Sequence, residues 1–115
     1  MKLDRLYLLK PQFMDQGKGP YFCLGCAQML GLLEFYPALK QKLEVRYLDF
    51  KRPRPELVDL LGEENQSCPM LVLKNLPAGS PAFVPIQKEK ERWFIDGADE
   101  IARYLAHVYG IGIPH

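Results

Sequence analysis

Four short apolar runs constrain this chain more than anything else in it. They are "RLYLL" (Arg5–Leu9), "LEVRYLDF" (Leu43–Phe50), "MLVLK" (Met70–Lys74) and "RWFI" (Arg92–Ile95). Each has strand length, and helical patterns separate most of them. Leu24 to Tyr36 is a helix candidate whose apolar residues Ala27, Leu30, Leu33 and Phe35 have Met29 and Leu32 on other faces, so a helix covered on more than one side is expected. Pro37 breaks or bends its end. "KRPRPELVDLLGEE" puts Pro55 in a helix first turn and Gly62 just past its end, with Leu57, Leu60 and Leu61 on one face. The last helix is the clearest. Asp96 and Asp99 read as a capping pair, Ala98, Ile101, Ala102, Leu105, Val108 and Tyr109 keep helical spacing, and Gly110 ends it.

The order is β-α-β-α-β-β-α. Two strands joined through a helix are expected to be parallel with a right-handed crossover, and the last two to form an antiparallel hairpin. The prediction is one α/β domain over residues 1–115, a four-stranded mixed sheet with helices on both faces. Lys10 to Phe22 reads as a loop. The Pro- and Gly-rich excursion after Lys74 reads as a wide hairpin with a short extra strand at Phe83–Ile86.

Composition excludes several classes. Net charge is +1, so no field for nucleic acid is expected. No run approaches the ~18 apolar residues of a membrane span. "LYLL" is too short for a signal h-region. A cytoplasmic protein is the expectation, where thiols stay reduced.

"YFCLGCAQML" (Tyr21–Leu30) holds two of the three cysteines, spaced Cys-x-x-Cys at a helix start. Three readings fit the residues. Cys23 and Cys26 are a working dithiol, or part of a metal site with Cys68, or small apolar residues entering a core. Cys23 would sit where free backbone amides and the helix dipole stabilise negative charge. Cys26, one turn on, would be placed to resolve a mixed disulfide on Cys23. A zinc set needs about four ligands, and the histidines, His107 and His115, lie late in the final helix and at the C-terminus.

This order, with the motif at the first helix start, resembles the thioredoxin-like superfamily. "QSCPMLVL" puts Pro69 where members carry a cis-proline before the third strand. "DGADEIARYLAHVYG" looks like the turn that holds the γ-glutamyl group of glutathione in glutaredoxins and the glutathione transferase N-terminal domain. "RPR", "GEENQSCPMLVL" and the closing "IPH" also resemble a small bacterial thioredoxin-like family of unknown function. The resemblance implies a thiol–disulfide oxidoreductase or glutaredoxin-like thiol transfer, with Cys23 as nucleophile and Cys26 resolving. Cys68 and Pro69 would form the substrate platform, with Tyr21 and Phe22 either a substrate-facing wall or packing under the long loop, and Asp99 either a γ-glutamyl contact or a charge complementing the helix N-terminus. It implies thiol or disulfide partners, protein or small-molecule, with glutathione as a co-substrate and no bound cofactor.

The chain departs from that pattern in several places. Leu24 and Gly25 stand where a proline is usual between the cysteines. Phe22 replaces a tryptophan, Cys68 replaces a Thr, Val or Ile, and "RLYLL" lacks an acid. A non-catalytic thioredoxin-like binding module is therefore the alternative, alongside metal binding by Cys23, Cys26 and Cys68. Lys51, Arg52 and Arg54 read as a solvated basic loop or an anion site stiffened by Pro53 and Pro55.

Overall fold

The strand Asp4–Leu9 (β1) is the hinge of the architecture, because it pairs on both edges. A computed structural model describes residues 1–76, 78–79 and 84–115. The following elements are Phe13–Asp15 (β2), Lys18–Tyr21 (β3), Leu24–Phe35 (α1), Leu43–Leu48 (β4), Pro55–Leu61 (α2), Met70–Leu73 (β5), Gln87–Glu89 (β6), Arg92–Asp96 (β7) and Ala98–Tyr109 (α3). β1 runs parallel to β4 and antiparallel to β5, so the first crossover passes through α1. β5 pairs antiparallel with β7, and β7 with β6. The sheet order is β4-β1-β5-β7-β6, five strands where four were expected.

Side-chain alternation along the strands divides the core into two layers. Leu6, Leu8, Leu71, Leu73 and Ile95 face α1 and α3, meeting Met29, Leu33, Ile101 and Leu105. Tyr7, Met70, Val72 and Phe94 face the other way, onto Leu57 and Leu61 of α2. Helices therefore cover both faces, two on one side and one on the other. Burying each such leucine contributes about 1.5–3 kcal/mol. α2 has only seven residues, too short to hold itself in water, so its docking face keeps it helical.

Several expectations need correction. The segment read as a loop, Lys10 to Phe22, contains the β2–β3 hairpin. Gln16 and Gly17, both at positive φ (52° and 75°), make its two-residue turn. Phe13 stacks on Phe50 with ring centroids 4.3 Å apart, fastening the hairpin to the loop after β4. α1 is covered on one side only. Cys26, Met29 and Leu33 are buried, whereas Leu24, Leu30 and Phe35 face solvent. Asp96 does not cap α3. It ends β7, Gly97 takes the cap position at φ 100°, and no side chain caps the helix. Asp99 instead pairs with Arg103 one turn on, at 2.9 Å. Of the strand expected at Phe83–Ile86, Phe83 lies outside the described residues. Val84 to Ile86 are not strand, and the extra strand is β6. Gly110 does end α3, in the left-handed conformation at φ 69°.

Candidate functional site

Cys23 is the N-cap of α1. Its backbone is still extended, while its carbonyl already accepts the first helical bond, from Ala27 N–H at 3.0 Å. Its Sγ takes the role a serine or aspartate oxygen usually has, accepting the Cys26 N–H at 3.2 Å. The half-buried Cys23 thiol also reaches the Cys68 carbonyl oxygen, 3.7 Å away. One sulfur thus touches the first turn of α1 and the chain entering β5.

Cys26 points inward. It is 3% exposed, and its Sγ accepts the N–H of Leu9, the last residue of β1, at 3.3 Å. Burial pushes its thiol up to about 12, and the hydrogen bond with Cys23 adds to the rise. All three cysteines are free thiols. Cys68 is half-buried and packs against both core layers. Burial pushes its thiol up to about 11, against the pull of Arg54. The Cys68–Pro69 peptide bond is cis, the form the resemblance implies at this position.

Gly25 explains part of the unusual Leu24–Gly25 centre. A Cβ there would lie 3.0 Å from Pro69 Cδ and 3.5 Å from the Ala98 Cβ. The first turn of α1 is therefore seated directly on the proline ring and the start of α3, and a side chain would lift it away.

The rim beside the thiols is apolar. Tyr21, Phe22 and Leu24 are 44%, 62% and 67% exposed around Cys23. Asp99 is exposed and lines a separate cleft between α1, α3 and the C-terminal tail, with Gln28 and Tyr36. On the other side, a cleft of about 510 Å³ opens between the β2–β3 hairpin and the loop 50–54, lined by Gln16, Lys51, Arg52 and Arg54.

Arg54 is the residue that sequence reasoning placed wrongly. It read as part of a basic loop, yet it is 5% exposed. Its Nε reaches the carbonyls of Asp49 and Phe50, at 3.3 and 3.2 Å. Its Nη1 donates to the Gln66 carbonyl and its Nη2 to the Phe50 carbonyl. Its own N–H donates to Gln66 Oε1 at 2.7 Å. No local pattern marks it, because its carbonyl partners come from residues 49–50 and 66. β1 also opens on a buried acid, just outside the run read as "RLYLL". Asp4 accepts the Lys74 N–H at 2.7 Å, and burial pushes its carboxyl up. It lies at the opposite end of β1 from Leu9, roughly 16 Å along the strand, so it does not serve the thiols.

Among the described residues, no three His, Cys, Asp or Glu side chains are grouped to hold a metal ion. The metal alternative for Cys23, Cys26 and Cys68 therefore has no geometric support there. No described helix is long and apolar enough to cross a membrane. No curated protein and no solved structure matches the chain. The family described as a protein of unknown function (DUF3088) matches residues 3–113, nearly the whole chain, and the protein belongs to that family.

Proposed function

We propose that the protein is a thioredoxin-like thiol–disulfide oxidoreductase working in a reducing, cytoplasmic setting. The observation that carries this reading is the placement of the Cys23 sulfur. It sits at the N-cap of α1, accepts the Cys26 N–H, and lies 3.7 Å from the backbone before a cis-proline. The β1-α1-β4 parallel unit, the antiparallel β5 and β7, and the split of helices between the two faces support the thioredoxin-like assignment. In that plan the β2–β3 hairpin and β6 are additions.

In the proposed reaction, Cys23 thiolate attacks one sulfur of a substrate disulfide. A Cys23–substrate disulfide forms, and the other substrate sulfur leaves as a thiolate that takes up a proton. Cys26 then attacks Cys23 Sγ, closing Cys23–Cys26 and releasing the second thiolate. The substrate is reduced by two electrons and the dithiol is oxidised. An external thiol such as glutathione would regenerate it. The exposed Tyr21, Phe22 and Leu24 would grip the substrate's apolar part. Lys51 and Arg52, exposed and in no ion pair among the described residues, would attract a carboxylate such as those of glutathione.

The same apolar rim supports a second reading, non-catalytic peptide binding. Turnover of bis(2-hydroxyethyl) disulfide with glutathione, and reduction of insulin with dithiothreitol, separate the two. Wild-type protein is expected to accelerate at least one, and Cys23→Ser to abolish it. Unchanged activity in Cys23→Ser would remove Cys23 as nucleophile. No activity on either substrate would leave the binding reading.

A further inference from the structure

The sheet ends in two edge strands of different character, β4 and β6. β6 is three residues long, reads Gln-Lys-Glu and is exposed throughout; a short, charged edge resists pairing with another chain. β4 is six residues long and keeps an unbroken register with β1, with no proline and no bulge. Among the described residues no strand lies on its other side. Its charges do not guard that edge. Glu44 and Arg46 lie on the α2 face, where Arg5 holds Glu44 at 2.8 Å and Glu56 of α2 holds Arg46 at 2.9 Å.

The backbone groups left open on β4 follow from one hydrogen bond. Lys10 N–H donates to the Leu48 carbonyl at 2.9 Å, so Leu48 directs its backbone groups at β1. In a strand the N–H and C=O of one residue point to the same side, and the side alternates along the chain. Glu44 and Arg46 therefore also face β1, and Leu43, Val45 and Tyr47 present theirs outward. A groove of about 390 Å³ adjoins this edge on the α1 face, lined by Leu30, Leu33, Val45 and Tyr47, with the exposed Glu34 and Lys40. Leu30 is 41% and Tyr47 is 47% exposed there.

We propose that β4 pairs with β4 of a second copy of the chain, antiparallel about a two-fold axis through Val45. In that register Val45 meets Val45, and Leu43 and Tyr47 of each copy meet Tyr47 and Leu43 of the other. Every outward N–H and C=O of these three residues then finds a partner. The pairs in between set Glu44 of each copy against Arg46 of the other, opposite charges at the closer cross-strand spacing. This self-complementarity is what selects a second copy as the occupant. An axis at Leu43 would run the pairing into the 3-10 turn Pro37–Gln41, and one at Tyr47 into the loop after Leu48. Two five-stranded sheets become one of ten, and side chains of the second copy close over the groove. The axis sends the C-terminal ends of the two β1 strands in opposite directions, so both Cys23 thiols stay open and the pairing is independent of their chemistry.

Sedimentation velocity and light scattering on the full chain, from ~20 µM to ~1 mM, test the pairing. A rise with concentration from 13.2 kDa to twice that mass is expected. Tyr47→Pro removes one outward N–H per copy and leaves the ladder to β1 intact. It is expected to weaken association by ~10–100-fold while circular dichroism stays that of the folded chain. Tyr47→Lys keeps the N–H, places a charge at the edge, and is expected to weaken association too, which covers the case where the proline disturbs the strand. In amide hydrogen exchange read by NMR, Val45 and Tyr47 gain protection as concentration rises, while Glu44 and Arg46 are protected throughout. A monomer up to ~1 mM overturns the second copy as occupant, whatever else uses the edge. A dimer that survives both Tyr47 variants, or whose Val45 amide exchanges freely, overturns the interface. Masses beyond the dimer overturn the two-fold closure.

Discussion

Small-molecule alkylation of the native, reduced protein is expected to grade the thiols by their surroundings. The perturbation is iodoacetamide at pH 7.5, with the same chain in guanidinium chloride as reference. A model thiol of pKa ~8.5 is then about one-tenth thiolate. Cys26, pushed up to about 12, is thiolate in about three molecules per hundred thousand. Cys68, pushed up to about 11, is thiolate about ten times more often than Cys26. Relative to the unfolded chain, thiolate populations fall ~3,000-fold for Cys26 and ~300-fold for Cys68. A more basic thiolate is also a better nucleophile. A Brønsted slope of about 0.45 returns ~40-fold and ~10-fold, leaving net slowing of ~100-fold and ~20-fold. At 3% exposure Cys26 gains further steric protection. Differential isotopic labelling with peptide mass spectrometry reads each rate separately. Cys26 reacting within tenfold of its unfolded rate would refute the burial argument, as would Cys68 reacting more slowly than Cys26.

Three other outcomes follow from the packing. Leu57→Ala, at a side chain 0% exposed beneath α2, is expected to cost about 3 kcal/mol in urea unfolding and lower Tm by ~12 °C, whereas the exposed Asp59→Ala should stay within ~0.5 kcal/mol. Cys26 and Cys68 hold their protons more tightly folded than unfolded, so their contribution is complete below ~8.5, the unfolded value, and is lost as pH rises toward about 11 and 12. Urea titrations across that window should show stability falling by up to ~1.4 kcal/mol per pH unit per thiol, and Cys26→Ala should flatten the slope. Gly25→Ala should fail to deliver the ~1 kcal/mol that helix propensity alone would give, because its Cβ meets Pro69 at 3.0 Å. A full gain in urea unfolding would show that α1 does not sit on the proline.

What could be read from the residues depended on burial. "RLYLL", "MLVLK" and "RWFI" stand out because their strands are buried, β5 at every position. β2, β3 and β6 are three or four residues long and almost wholly exposed, so no alternation marks them. The "QG" of their hairpin was the available signal, through its positive φ angles. α1 misled because it is apolar nearly all round, and only the tertiary arrangement shows which side is covered. Asp96 was read as a cap by spacing, but the ladder with Met70 keeps it in β7 and leaves the turn to Gly97. The Cys-x-x-Cys and Cys68–Pro69 motifs were legible as local patterns. Arg54 was not, since its burial depends on carbonyls from two separate segments, 49–50 and 66.

The central claim is that the N-cap sulfur of α1 is where a disulfide first reacts. Substoichiometric glutathione disulfide added to fully reduced wild-type protein, acid-quenched within seconds and mapped by mass spectrometry, tests it directly. The account predicts that the first glutathione adduct is on Cys23, or that Cys23 is one partner of any intramolecular disulfide formed. An adduct first on Cys68 or Cys26, with Cys23 still a free thiol, would contradict it.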